Sequence, residues 1–582
     1  MPDSHTEDSP ALVDFSDTEA LVADPHLIRM LAGDLAAVRY SVAGVEELLG
    51  ESVYAALNRE QFVPALRRSG AAMRSGDPLA VLVQLFPLAR AVPGALLETA
   101  LPTIGLAGML RLGLIAPAAL PEFPAALPEF TLPESPRAES APSESEQPEC
   151  YRALVDLSPY SFTDESGAVD LWVASDLAAH QRPGVLRHDH VLGIGQASLT
   201  LAQLIVRKPV DIAADLGVGC GIQTFHLLRH ARKVIATDIS ARALNFARFN
   251  LMLNAEALEL DPEHLTERVE LRSGHLLEPL LGERFDLLVS NPPFVITPRK
   301  KAQEPGADPE AVFIYRDGGL PGDQIVSELL HGLPELLRPG GLAQLLGNWE
   351  IADPEAEPGQ AGSWQERLDV WIAPELDAWV IQREELSPER YAEAWLQDAA
   401  QSRDPDAYDR AYTAYLEDFA ARGVNAVGFG SVWVRQPAQP GSIPPFRRFE
   451  AIGHPLEQPI GPQLGLAIAR ADWLAGHCAP ESLDAGHLVV PEDVTEERHQ
   501  RPGAEHPAII LLRQGAGFRR TRILSSELAG LVSACDGTLS VGQILTALSV
   551  LLEEQIDTEL LRGQVRELIR NGFLTPQDLV SG

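Results

Sequence analysis

The chain has 582 residues, which is too long for one domain, because single hydrophobic cores stop growing at about 250–300 residues. Hydrophobic residues make up 45% of the chain, as in ordinary soluble globular proteins. The 46 basic and 82 acidic residues give a formal net charge of −36. Such a charge repels nucleic acid at long range and disfavours a purely electrostatic DNA or RNA binder.

The remaining composition points to the cytoplasm. The four cysteines are scattered without a CxxC pair, so neither a disulfide framework nor a zinc site is predicted. The acidic N-terminus lacks the basic and apolar regions of a signal peptide. The longest apolar-looking stretch, Leu79 to Ala89, is too short to cross a bilayer. We therefore expect a cytoplasmic protein without a membrane partner.

The first quarter of the chain divides into a helical part and a linker. Apolar residues recur at three- and four-residue spacing, which predicts a helical N-terminal domain over residues 1–116 that ends in a helix and a short strand. It is either a small helical or winged-helix module, or a structural lid. Residues 117–149 are rich in Pro, Glu and Ser, which predicts a disordered linker.

Strands alternate with helices over residues 150–455, which predicts an α/β domain with a mostly parallel sheet. Within it, FRRFEAI is a candidate partner strand for NAVGFGSVWVRQ. Residues 456–582 have the helix–turn–helix and strand order of a winged helix, but they lack a basic face. This C-terminal domain is therefore expected to dock a protein or to serve a structural role.

Two motifs suggest a ligand site at the edge of the sheet. The segment Asp215 to Gly221 follows an apolar strand and opens a helix, and its alternate glycines let the backbone turn sharply and approach a ligand. Its DxGxGxG spacing differs from the GxGxxG of dinucleotide folds. Asp238 ends the next strand, where an acid can accept both ribose hydroxyl hydrogens or cap the following helix.

The most informative motif is Asn291-Pro292-Pro293-Phe294, which follows the strand FDLLVS. The prolines fix the turn and remove two N–H donors, which leaves the Asn291 amide oxygen and a free backbone carbonyl of Pro292 as acceptors. Together they can hold the two hydrogens of a planar NH2 group, while Phe294 offers a flat face for stacking. Catalysis would then depend mainly on orientation.

These motifs resemble the class I S-adenosylmethionine-dependent methyltransferases, in particular the group that modifies exocyclic NH2 groups of bases or glutamine side chains. The resemblance covers roughly residues 190–350 and implies a Rossmann-like, seven-stranded, mostly parallel sheet with S-adenosylmethionine as cofactor. It implies that the glycine loop holds the methionine end, that Asp215 helps to bind the cofactor's ammonium group, and that Asp238 binds the ribose. The glycines concerned are Gly217, Gly219 and Gly221.

Other cofactor contacts are less defined. His275 stands where an Asp is common in the family, so the adenine contact falls to His275, to Ser273 or to the backbone. The segment 193–204 occupies the place of the family's cover over the cofactor, with Gln196 and Ser198 as candidates. The sequence His188-Asp189-His190 has no further ligands at metal spacing, so a loop or cover role is favoured and no metal is predicted.

The substrate is indicated by the residues that follow. The segment Arg316 to Asp323 is similar to the GG-x-DG stretch of release-factor glutamine N5-methyltransferases, and Val295 also matches that family. Those enzymes usually have Tyr at the Phe294 position, so the match departs there. The charges at 299–301 (Arg299, Lys300, Lys301) are either solvated or anchor an acidic substrate.

The resemblance implies a macromolecular partner, either a release factor-like protein or an RNA. A protein glutamine is favoured, with an RNA or DNA base as the alternative. A non-catalytic cofactor-binding scaffold and a small-molecule methyltransferase are the other hypotheses. The oligomeric state is not predicted.

Overall fold

The computed structural model describes residues 21–118, 149–164, 166–181, 186–299, 317–352, 363–398, 405–438, 445–551 and 557–580. They belong to two compact units. The first unit draws on residues 1–199, 210–373 and 384–436, and the second on residues 200–209, 374–383 and 437–582. Residues 1–20, most of the predicted linker, and Lys300, Lys301 and Arg316 lie outside the described residues.

The α-helices, in chain order, are α1 Pro25–Ala37, α2 Val42–Leu49, α3 Glu51–Leu57, α4 Phe62–Arg74, α5 Pro78–Leu85, α6 Gly94–Ala100, α7 Gly105–Arg111, α8 Gln196–Leu204, α9 Ile222–Leu228, α10 Ala241–Leu253, α11 Gln324–Leu336, α12 Trp364–Trp371, α13 Pro388–Asp398, α14 Pro405–Ala421, α15 Gly461–Gly476, α16 Pro480–Asp484, α17 Ser526–Ser533, α18 Val541–Leu551 and α19 Thr558–Asn571.

The β-strands, in chain order, are β1 Val92–Pro93, β2 Ile115–Ala118, β3 Cys150–Ala153, β4 Val155–Asp164, β5 Gly167–Asp176, β6 Val210–Leu216, β7 Ala231–Asp238, β8 Val269–Ser273, β9 Phe285–Ser290, β10 Leu337–Ala352, β11 Asp377–Leu386, β12 Val424–Arg435, β13 Arg447–Ala451, β14 His487–Val489, β15 Val494–His499, β16 Ile509–Gln514, β17 Thr521–Leu524, β18 Asp536–Ser540 and β19 Thr575–Pro576.

The N-terminal part of the first unit is helical, as predicted. Helices α1 to α7 occupy most of residues 25–111, and α7 is followed by the short strand β2. Asp24 caps α1 by accepting hydrogen bonds from the backbone N–H groups of His26 and Leu27 at 3.1 and 3.2 Å. Strands β4 and β5, which follow this helical part, form an antiparallel hairpin.

A mixed sheet forms the centre of the first unit, in the order β12-β10-β9-β6-β7-β8. Strands β10, β9, β6, β7 and β8 pair in parallel, and β12 runs antiparallel to β10. The mostly parallel sheet is therefore confirmed. Its inner strands are nearly continuous runs of buried Val, Ile, Leu and Ala, as expected for strands covered on both faces.

The register of this sheet aligns the ends of its strands at one edge. Leu216 of β6 pairs with Ser290 of β9 and with Thr237 of β7, and Asp238 pairs with Ser273 of β8. The loops after these four strands therefore lie side by side. Open α/β sheets bind their ligands at this carboxyl edge.

The second unit has its own apolar core, in which α17, α18 and α19 pack around buried side chains such as Leu531, Val565 and Leu568. Strands β18, β14 and β19 form one three-stranded sheet, and β15, β16 and β17 form another. The unit also includes residues 200–209, because Ile205 and Val206 pack against the first turns of α15. The C-terminal domain predicted over residues 456–582 does not contain the segment 200–209.

Two sequence expectations about the strands are not confirmed by the structure. The predicted count of seven strands is one of them, since β12, β10, β9, β6, β7 and β8 are the strands of this sheet that lie wholly within the first unit among the described residues. The segment 447–451 pairs in parallel with β11, not with β12 as predicted. Strand β11 was missed because its second half, Arg383-Glu384-Glu385, breaks the apolar pattern that marks the other strands.

Candidate active site

The glycine loop after β6 is held in a conformation that requires glycine. The backbone N–H groups of Gly217 and Val218 both donate to the carbonyl oxygen of Thr237 at 2.9 Å, which ties the loop to β7. Gly217, Gly219 and Gly221 have φ angles of 80°, 54° and 102°. Side chains are strained in this left-handed region, so the DxGxGxG spacing has a direct conformational cause.

Asp238 lies at the tip of β7 beside this loop. Its Oδ2 accepts the Gly219 N–H at 3.0 Å, and its Oδ1 accepts the Ser240 N–H at 2.9 Å. Burial raises the pKa of the Asp238 carboxyl group, although these backbone N–H groups oppose the shift. Each oxygen keeps a further lone pair, and Asp238 lines the cavity described below. The predicted contact with two ribose hydroxyl groups is compatible with this arrangement.

Asp215 lies behind the loop rather than in the cavity wall. Its side chain is 1% exposed, and its Oδ2 accepts the Thr224 hydroxyl at 2.6 Å. Its Oδ1 has no partner among the described residues. Burial raises the pKa of the Asp215 carboxyl group to about 7, and the nearby Asp238 adds to the shift. Asp215 therefore supports the loop, and the direct ammonium contact that the resemblance implied stays a prediction.

The loop after β8 presents His275 to the cavity, together with Gly274 and Leu276. Ser273 is exposed and does not line the cavity. The backbone N–H of Gly274 donates to the carbonyl of Asp238 at 3.1 Å, which holds this loop beside the ribose position. Of the two predicted side chains, only His275 lines the cavity, and its contact with an adenine stays a prediction.

The Asn-Pro-Pro-Phe motif lies next to the glycine loop, because β9 is the neighbour of β6 in the sheet. Asn291, Pro292 and Pro293 line the cavity, and the backbone oxygen of Asn291 is 3.6 Å from the position that a Cβ atom would take on Gly217. The side-chain amide of Asn291 has no hydrogen-bond partner among the described residues, so its oxygen is available. This placement fits the predicted role of Asn291.

Two details of the motif differ from the prediction. The carbonyl oxygen of Pro292 is not free, because it accepts the Phe294 N–H at 2.8 Å across a tight turn, so one lone pair remains for a substrate. Phe294 does not line the cavity. It packs against an apolar cluster that includes Val295 and Tyr391, and this contact turns its ring away from the predicted stacking position.

The turn is anchored from both sides. The Gly318 N–H donates to the Pro293 carbonyl at 3.1 Å, and Phe294 and Asp317 form an isolated antiparallel bridge. Asp317 in turn pairs with Arg299 and accepts the Thr297 hydroxyl. Arg299 is therefore ion-paired rather than fully solvated, and its predicted role as an anchor for an acidic substrate stays a prediction.

Beyond the turn, a buried tyrosine holds the next residues. The Tyr391 hydroxyl accepts the Ile296 N–H at 2.8 Å and the Asn348 Nδ2–H at 2.9 Å. Tyr391 and Asn348 are fully buried. Because water cannot replace this hydroxyl, the contact fixes how the chain leaves the Asn-Pro-Pro-Phe turn.

Replacing Tyr391 with phenylalanine is expected to lower the thermal midpoint, because two buried donors lose their acceptor at a cost of about 1–3 kcal/mol each. Differential scanning calorimetry of the full chain measures this change. Tyr412→Phe is the matched control, since the Tyr412 hydroxyl is exposed and only contacts Glu393 at 3.3 Å. Equal midpoints for the two variants would contradict the anchoring role.

The strand ends enclose one cavity of about 390 Å³. Its wall is built from the loops after β6, β7, β8 and β9 and from the segment before and within α8. The lining residues fall in the ranges 189–193, 216–220, 222–223, 237–240, 274–276, 290–293 and 317–319, together with Ser198 and Ala243.

Two buried polar atoms in the cavity wall fit a ligand with hydrogen-bonding groups. Gln223 Oε1 and Thr237 Oγ1 have no partner among the described residues, and both side chains line the cavity. Buried polar atoms are normally hydrogen-bonded, so a polar cofactor fits this wall. Sequence analysis missed Gln223. Helix α9 is buried on all sides, and a polar side chain in such an apolar helix indicates a residue with a polar partner or a ligand. It had named Ser198, which lines the cavity, and Gln196, which does not.

Other site classes find little support in the described part of the chain. No group of three or more His, Cys, Asp or Glu side chains there is arranged to hold a metal ion. His190 is buried, with its Nδ1 3.8 Å from the Asp176 carboxylate. None of the described helices combines the length and apolar character needed to cross a membrane.

Comparison with known families agrees with this geometry. Residues 176–304 match the methyltransferase small domain, a segment that includes the glycine loop, Asp238 and the Asn-Pro-Pro-Phe motif. Residues 37–126 match a domain of unknown function, DUF7059, which overlaps the helical N-terminal part.

Similar proteins carry related names. The chain is 33% identical over 200 residues to a ribosomal protein uL3 glutamine methyltransferase of Bradyrhizobium diazoefficiens, covering 33% of this chain and 58% of that one. It is 37% identical over 141 residues to a release factor glutamine methyltransferase of Xylella fastidiosa, covering 24% and 46%. A 16S rRNA N2 G1207 methyltransferase of T. thermophilus, solved with AdoMet and guanosine, has a TM-score of 0.21 at 18% identity, covering 35% and 48%.

The match is therefore confined to a part of each protein, and the chain spans about half the length of the two glutamine methyltransferases it matches. Within that part, the prediction of a class I methyltransferase domain of the amino-methyltransferase group is confirmed. The matched family and relatives also support S-adenosylmethionine as the cofactor.

Proposed function

We propose that this chain is an S-adenosylmethionine-dependent N-methyltransferase that acts on the side-chain NH2 group of a protein glutamine. One observation carries the proposal. Asn291, whose side-chain amide has no hydrogen-bond partner among the described residues, lines the same cavity as the neighbouring glycine loop, so an NH2 group held by Asn291 would lie beside a cofactor held by that loop.

The cavity residues divide the work between cofactor and substrate. The glycine loop and Asp238 would hold the cofactor, with His275 at the adenine. When bound, S-adenosylmethionine supplies an electrophilic methyl group. Asn291 Oδ1 and the remaining lone pair of the Pro292 carbonyl accept the two N–H bonds of the substrate, which fixes the plane of its amide. The anchored turn keeps both acceptors in place before the substrate arrives.

Several features favour a protein glutamine over a base. The similar proteins of known name are glutamine methyltransferases of ribosomal protein uL3 and of release factors. Gly318 and Gly319 of the similar downstream segment line the cavity, and Val295 is buried directly after the motif. The net charge of −36 also opposes a polyanionic substrate. The packing of Phe294 away from the cavity leaves no aromatic face from this motif for a base.

The flanking parts fit a role in docking the protein substrate. We infer that the winged-helix-like C-terminal domain and the helical N-terminal domain recognise a translation protein in the cytoplasm. Among the described residues of this domain, Arg513, Arg519 and Arg520 are each paired with a glutamate, so a protein partner suits it better than nucleic acid.

Methyl transfer to a defined substrate tests this function. The purified full chain is incubated with labelled S-adenosylmethionine and, separately, with a release factor, ribosomal protein uL3 and ribosomal RNA. Label on a glutamine of either protein, located by peptide mass spectrometry, is the expected result. Label only on RNA nucleosides would assign the base instead, and no label with any of the three would contradict the proposal.

A further inference from the structure

Gln223, at the start of α9, is in an unusual position for a buried amide. It is 4% exposed and lines the cavity. Its Nε2 donates to the backbone carbonyl of Ser198 in α8 at 2.8 Å. Its Oε1 is buried and has no partner among the described residues. The Gln223 NH2 group therefore holds Ser198 of the cover segment, and the Gln223 carbonyl oxygen is an acceptor without a donor among the described residues.

Such an acceptor calls for a ligand that donates a hydrogen bond, because a buried oxygen loses its hydration without compensation. The proposed cofactor has three kinds of donor, namely the adenine NH2, the ribose hydroxyl groups and the α-ammonium group of its methionine part. Which donor meets Gln223 can be decided from the order of the strands.

The strand order β9-β6-β7-β8 distributes the cofactor along the edge of the sheet. His275 after β8 and Asp238 at the end of β7 mark the adenine and ribose end, and Asn291 after β9 marks the methyl group. The sulfur carries one more chain, the amino-acid part. The cavity wall left for it includes Gln223, Ser198 of the cover segment 193–204, and the preceding residues 189–192.

Asp215 is less suited to bind this ammonium group. Its Oδ2 accepts the Thr224 hydroxyl behind the loop, while its Oδ1, like Gln223 Oε1, has no partner among the described residues. Gln223 lines the cavity and Asp215 does not, so position favours Gln223. Burial also raises the pKa of the Asp215 carboxyl group to about 7, which disfavours its charged form.

We propose that Gln223 Oε1 binds the α-ammonium group of the cofactor, while Gln223 Nε2 ties the cover segment over it through Ser198. The inference rests on the proposed use of S-adenosylmethionine, and it assigns to Gln223 a contact that the family resemblance would give to Asp215. Gln223 is thereby a cofactor-binding residue that distinguishes ligands with an amino group from ligands without one.

A ligand-truncation experiment tests this assignment. Calorimetry measures the affinity of the full chain for S-adenosylhomocysteine and for its deaminated analogue, which has hydrogen in place of the amino group. Gln223→Met keeps the length but removes both the acceptor and the donor to Ser198. Loss of the donor acts on both ligands alike, whereas loss of the acceptor acts only on the ligand with the amino group. The ratio of the affinity for S-adenosylhomocysteine to that for the deaminated analogue is therefore expected to fall about 10- to 100-fold, as for one lost hydrogen bond to a charged group.

Two further variants make the result specific. Gln223→Glu keeps an acceptor but loses the donor to Ser198, so the preference for the amino group should persist even if both ligands bind more weakly. Gln84→Met is the matched control, since Gln84 is a buried amide bonded to Leu66 and Ser69 away from the cavity, and no change is expected.

The outcomes are distinguishable. Equal losses of both ligands in Gln223→Met would mean that Gln223 only shapes the cavity, and would overturn the inference. A loss of amino-group preference in Asp215→Asn but not in Gln223→Met would return the contact to Asp215. Failure of the unmodified protein to bind S-adenosylhomocysteine would instead reject the proposed function.

Discussion

Replacing Asn291 with alanine is expected to reduce methyl transfer about 100- to 1,000-fold while leaving the affinity for S-adenosylhomocysteine within about threefold. The side chain of Asn291 makes no hydrogen bond to the described residues, so its removal breaks no contact of the fold. It does remove the acceptor that would fix the plane of the substrate NH2 group. Single-turnover assays with labelled cofactor and calorimetry measure the two quantities separately.

The control for this prediction is Asn425→Ala. Asn425 is exposed on β12 and does not line the cavity, so both methyl transfer and cofactor affinity should be unchanged. Persistent transfer in Asn291→Ala would rule out the proposed orientation of the NH2 group. A parallel loss of cofactor affinity would show that Asn291 mainly supports the cofactor side of the cavity.

The sheet and the glycine loop could be predicted from sequence because both depend on local patterns. Apolar runs of three residues (Ile-Ala-Ala, Val-Ile-Ala and Leu-Leu-Val) within short segments mark β6, β7 and β9, and glycine at alternate positions marks the loop. The ends of parallel strands meet at one edge, so the closeness of Asp238, His275 and Asn291 follows from topology alone.

The side-chain directions within the motif could not be predicted in this way. Whether Phe294 faces the cavity depends on packing against aromatic side chains of α13 and α14. These helices lie about 100 residues later in the chain. The tight turn in which the Pro292 carbonyl accepts the Phe294 N–H also could not be predicted from the sequence Asn-Pro-Pro-Phe, because proline fixes φ but leaves ψ open. Long-range packing, rather than local sequence, decides these details.

The anchors of the turn were likewise out of reach of sequence patterns. Tyr391 belongs to α13, and its hydroxyl accepts the backbone N–H of Ile296, 95 residues earlier in the chain. The segment with Gly318 had been identified by resemblance. The backbone hydrogen bond by which Gly318 holds Pro293 could not be predicted from the sequence, because it depends on the folded structure.

Replacing Asp238 with alanine is expected to lower the affinity for S-adenosylhomocysteine by at least about 100-fold. Two charge-assisted hydrogen bonds to the ribose would be lost, each worth about 1.5–3 kcal/mol. The carboxylate also accepts the N–H groups of Gly219 and Ser240, so its removal loosens the glycine loop at the same time. Calorimetric titration of the full chain measures the change in affinity.

Asp286→Ala separates the ribose contact from the loss of two backbone hydrogen bonds. Asp286 accepts the N–H groups of Asp211 and Ile212 at 3.1 and 3.0 Å near the starts of β6 and β9, away from the cavity. This variant should lose stability comparable to that of Asp238→Ala but keep its affinity for S-adenosylhomocysteine. If both variants bound the ligand equally well, Asp238 would only cap the glycine loop, and another group in the cavity wall would have to accept the ribose hydroxyl groups. Thr237, the preceding residue on the same strand, would be a candidate, because its hydroxyl lines the cavity and has no partner among the described residues.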